Sequence, residues 1–177
     1  YSSSFTSGNF KVYATSAKTV KISSSSKTLP SNSKSVSACL DLGGGGSVKS
    51  YRCIEFTTGG AATITVDAVG ASGRKLALFN SSGSKLSEKE TSSSITSYTF
   101  NVSSSGTYYL MSTGSSIKVY YTKVAVGTSS GSSSSGSTSS GSSSSSSTSS
   151  TTTIELNANN LSHGTFSSKF TSGSFTV

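Results

Sequence analysis

Tryptophan is absent from this sequence of 177 residues, and proline, methionine and histidine each occur once. Only 31% of the residues are hydrophobic, and no apolar run approaches the roughly 20 residues that span a bilayer. The sequence therefore predicts no membrane-spanning helix. Strong helix formers are sparse, whereas serine, threonine and β-branched or aromatic residues are common. This composition argues against a helical bundle and favours an all-β protein.

Acidic residues are also few, with six against 14 lysines and arginines, which gives a net charge of +8. Such a charge on a small chain predicts attraction to a polyanion. Nucleic acid, anionic lipid, teichoic acid and pectin all fit this description, and charge alone does not choose among them. The alternative is that the charge only keeps a serine-rich protein in solution.

Apolar residues alternate with polar ones through most of residues 1–126. The pattern has a period of two, as in Phe10, Val12 and Ala14, and again in Ile64, Val66 and Ala68. About nine such segments are separated by turns rich in glycine and serine. One apolar face per strand predicts an antiparallel β-sandwich with a jelly-roll-like arrangement. A β-barrel is the second choice.

Residues 128–153 contain only serine, threonine and glycine. Because no apolar side chain is present, the stretch has no surface to bury, and we predict a flexible linker over residues 127–153. The parts on either side are related. Residues 1–12 match residues 166–177 at eight of twelve positions, at a constant offset of 165. This repeat predicts tandem modules.

The second part also has a lead-in that the first part lacks, so Tyr1 is expected to follow a cut inside a longer protein. One sheet edge near Phe5–Val12 should then be unpaired. We expect residues 154–177, the start of a second copy, to fold back and complete the first sandwich, as strand complementation does between chains.

Two cysteines flank a glycine-rich segment. If residues 43–50 form a hairpin turn, Cys39 lies directly opposite Cys53, within reach of a cross-strand disulfide. An even cysteine count and a Ser/Thr linker suit a secreted protein. The alternative is a pair of free thiols. A metal site is not expected, since two cysteines and the distant His163 do not supply four ligands.

No catalytic constellation is found. The acidic residues are scattered, and no nucleophile elbow, zinc-protease motif or phosphate-binding loop occurs. We therefore expect a non-catalytic protein with no cofactor.

Several motifs together resemble a known family. They are Cys39-Leu-Asp-Leu-Gly-Gly, Tyr51-Arg-Cys-Ile-Glu-Phe, Arg74-Lys-Leu-Ala-Leu-Phe, Ser105-Gly-Thr-Tyr-Tyr-Leu110 and Ile117-Lys-Val-Tyr-Tyr121. In this order they are similar to the pectin-binding carbohydrate-binding modules of family seventy-seven, which are appended to secreted bacterial pectate lyases. The resemblance implies a module that holds a lyase on de-esterified homogalacturonan through basic side chains.

The resemblance places basic residues of the family pattern at Lys34, Arg52 and Arg74. Cys39 and Asp41 stand where the family often has arginine and lysine, which removes two positive charges from one face. Arginine binds a carboxylate with two hydrogen bonds, and lysine supplies a mobile charge. The candidate ligand-binding residues, expected mainly on loops at one end of the sandwich, are Lys34, Lys49, Arg52, Arg74, Lys75 and Lys118. Tyr13, Tyr51 and Tyr120 are candidates for stacking on sugar rings.

Two functions of different classes are therefore consistent with the sequence. The first is a pectin-binding module of a secreted or cell-surface enzyme, with an acidic polysaccharide as partner and a lyase domain and a second module in the same chain. The second is a structural or adhesive repeat of a bacterial surface protein without glycan specificity. Neither nucleic acid nor a membrane is expected as a partner.

Overall fold

The structure of the protein is a computed structural model that describes residues 1–127 and 151–161. The strands in these residues are β1 (Phe5–Ser7), β2 (Phe10–Tyr13), β3 (Lys21–Thr28), β4 (Ser35–Asp41), β5 (Cys53–Thr58), β6 (Ala62–Val69), β7 (Lys75–Asn80), β8 (Lys85–Glu90), β9 (Thr96–Val102), β10 (Gly106–Ser112), β11 (Lys118–Val126) and β12 (Thr152–Asn157). A short 3-10 turn, Ala158–Asn160, follows β12. No helix in the described residues is long and apolar enough to cross a membrane.

The strands form two antiparallel sheets. The first sheet has the order β1-β2-β5-β10-β7-β8, and the second has the order β3-β4-β11-β6-β9, with β12 paired to β11. The sheets bury one apolar face each against the other, as the period-two pattern requires. The predicted all-β sandwich is confirmed.

The core consists of the alternating residues identified in the sequence. Phe10 lies opposite Phe56, and Val12 lies opposite Ile54, with all four side chains fully or almost fully buried. Each such burial contributes about 1.5–3 kcal/mol relative to an exposed side chain. The alternation therefore fixes which face of each strand points inward, since a slip by one residue would expose the whole set.

Strand β8 is one that the apolar pattern did not reveal. Its sequence, Lys-Leu-Ser-Glu-Lys-Glu, has no apolar alternation, because β8 is the outer strand of the first sheet. Its pairing with β7 is supported by Glu88, which forms ion pairs with Lys75 and Lys85. Charged side chains on an edge strand also discourage pairing with other proteins.

The predicted pairing of Cys39 with Cys53 is wrong. Cys39 lies on β4 of the second sheet and Cys53 on β5 of the first, and both are free, fully buried thiols. The prediction assumed a hairpin turn between them, but the glycine-rich segment crosses from one sheet to the other. Cys53 instead lies opposite Tyr13 on one side and Met111 on the other.

The last residues of the Ser/Thr/Gly stretch and those after it pack on the first sandwich. Thr152 and Thr153, which the sequence assigned to the linker, are the first residues of β12. β12 pairs with β11 from Tyr121 to Val126, whereas β4 pairs with β11 only at Lys118 and Val119. Because β6 occupies the whole of the opposite edge of β11, β12 fills the edge that β4 leaves open. The sequence predicts the unpaired edge near Phe5–Val12, which belongs to the first sheet, whereas β12 pairs within the second sheet. The remainder of the second copy, residues 162–177, lies outside the described residues.

Side chains of this segment complete the core. Leu156, Ala158 and Leu161 are buried in the same cluster as the sandwich residues. The Asn159 Oδ1 accepts hydrogen bonds from the backbone N–H groups of Ser37 (2.8 Å) and Ala38 (3.1 Å) on β4. Strand β12 is thus held by backbone pairing, apolar burial and a side-chain cap on the neighbouring strand.

We expect Leu156→Ala to lower the free energy of unfolding by about 2–5 kcal/mol, because it leaves a cavity at the edge of the core. Thr153→Ala, on an exposed position of the same strand, is the matched control and should change stability by less than about 0.5 kcal/mol. Chemical denaturation of both variants measures the difference. Equal stabilities would show that β12 contributes nothing to the module.

Burial raises the pKa of the Cys53 thiol from 9.0 to about 11. Between these values the unfolded chain loses this proton while the folded chain keeps it, so stability should fall as pH rises from 9 to 11. The loss attributable to Cys53 is on the order of 2–3 kcal/mol. Cys53→Ala should show a shallower decline over this pH range in denaturant titrations. An unchanged slope would contradict the burial of the thiol.

Candidate functional site

Five connections meet at one end of the sandwich, because antiparallel strands send alternate connections to opposite ends. Their residues are 14–20, 42–52, 70–74, 91–95 and 113–117. Backbone hydrogen bonds join neighbouring loops, as from the Leu42 N–H to the Ile117 carbonyl (3.1 Å) and from the Gly70 N–H to the Ser92 carbonyl (2.9 Å). We call this loop cluster the basic end.

The charges of the loops are unevenly divided between the two ends. The five loops of the basic end carry four basic residues, Lys18, Lys49, Arg52 and Arg74, and no acidic residue. At the opposite end, the described connections carry Lys34 alone. Two carboxylates of adjoining strands accept hydrogen bonds from these loops, Asp41 from the Gly43 N–H (2.8 Å) and Glu90 from the Gly73 N–H (2.9 Å). The four basic residues still leave an excess of positive charge, and such an excess attracts an anionic ligand.

Arg52 is built into the basic end by the glycine-rich loop. Its Nε donates a hydrogen bond to the Thr19 carbonyl (3.1 Å), which joins two loops. Its guanidinium packs against the backbone of Gly43 and Gly44, and a Cβ on Gly44 would lie 2.6 Å from Arg52 Nη1. Gly44 also has φ +144°, a region that side chains disfavour. The glycine run therefore accommodates the arginine.

Two non-glycine residues in this loop have left-handed backbone conformations. Lys49 has φ 59° and Arg52 has φ 53°. Such conformations cost about 1–2 kcal/mol for an ordinary residue. The surrounding loop contacts, including that of Arg52 with Thr19, hold the chain in this shape.

Arg74 is anchored in a similar way on the other side of residues 113–117. Its Nη1 donates a hydrogen bond to the Ser116 carbonyl, and the Ser116 hydroxyl donates to Asp41 Oδ1. Lys118 lies directly opposite Asp41 in the β11–β4 register. One carboxylate is therefore in contact with this part of the basic end, where the Ser116 hydroxyl and the Gly43 N–H (2.8 Å) bind it.

The structure places five of the six candidate residues at one end of the sandwich. Lys49, Arg52, Arg74 and Lys118 lie in the loops of the basic end or at its strand ends. Lys75 begins β7 near them, but its Nζ lies 2.8 Å from Glu88 Oε1, and this pair together with Lys85 holds the pKa of Glu88 down at about 2. Lys34 is the exception, since it lies on the loop between β3 and β4 at the opposite end.

The three candidate tyrosines have different environments. Tyr120 is buried, and its hydroxyl is hydrogen-bonded to Ser25 (2.8 Å), so its ring is not available to a ligand. The Tyr13 hydroxyl donates to Glu55 Oε2 (2.9 Å) on the outer face of the first sheet. Tyr51 alone belongs to the basic end, where it is half-buried.

Lys18 is a residue of this site that the sequence motifs missed. It is exposed, and its Nζ lies 5.9 Å from the centroid of the Tyr51 ring, over its face. The sequence carried no signal for this contact, because Lys18 and Tyr51 lie on loops that only the fold brings together.

Acidic, histidine and cysteine side chains form no metal site in the part of the chain that the structure describes, where no three of them come together. The histidine of the chain, His163, lies outside that part. The groups that converge at the basic end are ammonium and guanidinium groups, backbone N–H groups and one aromatic ring. Groups of these kinds bind anions through charge and hydrogen bonding.

No protein-family model matches the chain, and no match was found among curated proteins. The similarity to pectin-binding modules therefore rests on the motifs of the sequence. Membership of that family stays a proposal.

Gly44→Ala should displace Arg52 and lower the free energy of unfolding by about 1–3 kcal/mol, because the added methyl collides with the guanidinium and strains the backbone. Gly59→Ala is the matched control, since nothing lies within 4 Å of its added Cβ. That change should be within about 0.5 kcal/mol of the parent protein. Thermal or denaturant unfolding distinguishes the two, and a harmless Gly44→Ala would contradict the packing of Arg52 on this loop.

Proposed function

We propose that the chain is a non-catalytic module that binds acidic plant cell-wall polysaccharide, specifically low-ester pectin, at its basic end. The observation that carries the proposal is the charge of the loops at one end, which contain four basic residues and no acidic residue. The motif resemblance to pectin-binding modules supports the same ligand. The proposal also places the module in a secreted or cell-surface protein, attached to a pectate lyase domain.

The ligand chemistry matches the groups at this end. De-esterified homogalacturonan carries about one carboxylate per sugar, so a chain of it presents a row of negative charges. Lys18 and Lys49 are exposed and supply mobile charges, whereas Arg52 and Arg74 have fixed positions. Tyr51 offers an apolar ring face next to these charges, suited to the apolar face of a sugar.

Anchoring of the two arginines favours binding by lowering its entropic cost. Each guanidinium is fixed by a hydrogen bond from one of its nitrogens to a backbone carbonyl, of Thr19 for Arg52 and of Ser116 for Arg74. Within the described residues, the remaining guanidinium N–H groups make no other hydrogen bond. A side chain that is already held in place loses less rotamer freedom when it binds a carboxylate.

A structural or adhesive repeat is the second candidate, and the internal repeat together with the docking of β12 favours it. Such a protein has no need of a one-sided charge distribution.

The two buried, unpaired cysteines give no support to an oxidising compartment, so the proposed secretion rests on the Ser/Thr/Gly segment and the motif resemblance.

Replacement of Lys18 and Lys49 by alanine should weaken binding to low-ester pectin roughly 3- to 30-fold, because two exposed charge contacts of about 0.3–1 kcal/mol each are lost. The matched control is the double variant Lys27→Ala with Lys34→Ala. It removes the same charge from the opposite end and should bind as the parent does. Affinity electrophoresis in gels that contain pectin measures both.

Ionic strength and methyl esterification provide the second arm of this experiment. Binding should weaken as salt rises and as ester content increases, because both reduce the attraction between cations and carboxylates. Equal losses in the two double variants would mean that net charge alone acts and would contradict a site at the basic end. Binding to neutral xylan as strong as to pectin, or no binding to pectin at all, would favour the structural repeat.

A further inference from the structure

Strand β12 and the 3-10 turn are bound by an interface that lies entirely on residues 1–127. The backbone of β11 pairs with them, the sandwich core receives Leu156 and Leu161, and β4 donates two N–H groups to Asn159. The contacts named here are made by Thr152–Leu161 itself, of which Thr152 and Thr153 are the last residues of the Ser/Thr/Gly segment. The same contacts are available to this segment when it comes from another chain.

The tether is far longer than the pairing requires. Val126 and Thr152 are directly opposite in the β11–β12 register, so a two-residue turn would close this hairpin. The chain instead places residues 127–151 between them, 25 residues of serine, threonine and glycine. Closing a loop of this length costs more chain entropy than closing a two-residue turn.

The sequence places the same segment at the junction of two repeats. Residues 166–177 match residues 1–12 at eight of twelve positions, and the strand that docks on the first module ends only a few residues before this second copy. A strand that completes one module therefore adjoins the first residues of another. This order suits a strand that passes from one copy to the next.

We propose that the groove between β4 and β11 is a strand-acceptor site, and that its partner is the segment Thr152–Leu161 of a second copy of this chain. The long tether lets the strand leave its own module, and the groove accepts the identical segment from a neighbour. The interaction joins modules by exchange of one strand. It is independent of any carbohydrate ligand.

The experiment uses two full-length chains, each with one added cysteine. One chain carries Ala125→Cys on β11 and the other carries Thr153→Cys on β12, and these two positions are directly opposite in the register. Opposed residues have Cβ atoms about 4.5–5.5 Å apart, within reach of a short bismaleimide cross-linker. The two chains are mixed at about 1 mM, so that pairing between chains competes with pairing within one chain. Cross-linked pairs are then counted by mass spectrometry.

Three further chains serve as controls. A chain that carries both cysteines reports pairing within one molecule. A chain with Lys85→Cys on β8, an exposed position of the other sheet, reports random collision with the Thr153→Cys chain. A chain whose residues 127–151 are replaced by Asn-Gly, and which carries Thr153→Cys, has the strand bound to its own module.

Strand exchange predicts cross-linking of the Ala125→Cys and Thr153→Cys chains, on the order of a tenth of the molecules or more, well above the Lys85→Cys control. The Asn-Gly chain should cross-link near the level of the Lys85→Cys control, because a two-residue turn keeps its strand in its own module. The proposal is overturned if the mixed chains cross-link no more than the collision control while the double-cysteine chain closes on itself. It is equally overturned if the double-cysteine chain fails to close, because the β11–β12 pairing would then be absent.

Discussion

Strand β11 organises the second sheet, because its backbone groups need partners along both edges. β6 pairs with it from Lys118 to Val126, but β4 turns away after Val119. Without a further strand, the N–H and C=O groups of residues 121–126 on that edge would lack partners next to the apolar core. The segment Thr152–Asn157 meets this requirement, and its Leu156 closes the core at the same place.

The sandwich places its apolar residues and its basic loops in different regions. Its two inner faces hold the aromatic and aliphatic side chains, whereas the basic loops gather at one end. Loops are well suited to recognition because a rigid scaffold positions them. Arg52 links these loops, since its bond to the Thr19 carbonyl and its packing on Gly44 hold them together.

Much of the fold and part of the site were predictable from local patterns. The alternation of Phe10 and Val12, or of Ile64 and Val66, identified buried strand faces, because the side-chain period of a strand is two. Arg52 and Arg74 were identifiable as basic residues next to strands. Lys18 was not, since its proximity to Tyr51 arises between loops that are 33 positions apart in the sequence.

The sequence by itself determined the all-β class, the inward faces of the strands and the excess of positive charge, because these depend on composition and on neighbours one or two residues away. Only the tertiary structure decided which strands share a sheet. Cys39 and Cys53 therefore remain apart, since the glycines between them permit either a hairpin or a crossing, and β11 and the core select the crossing. The tertiary structure also decided that the loop of Lys34 lies at the opposite end from the other basic loops. The direction of its two strands determines which end of the sandwich a loop occupies.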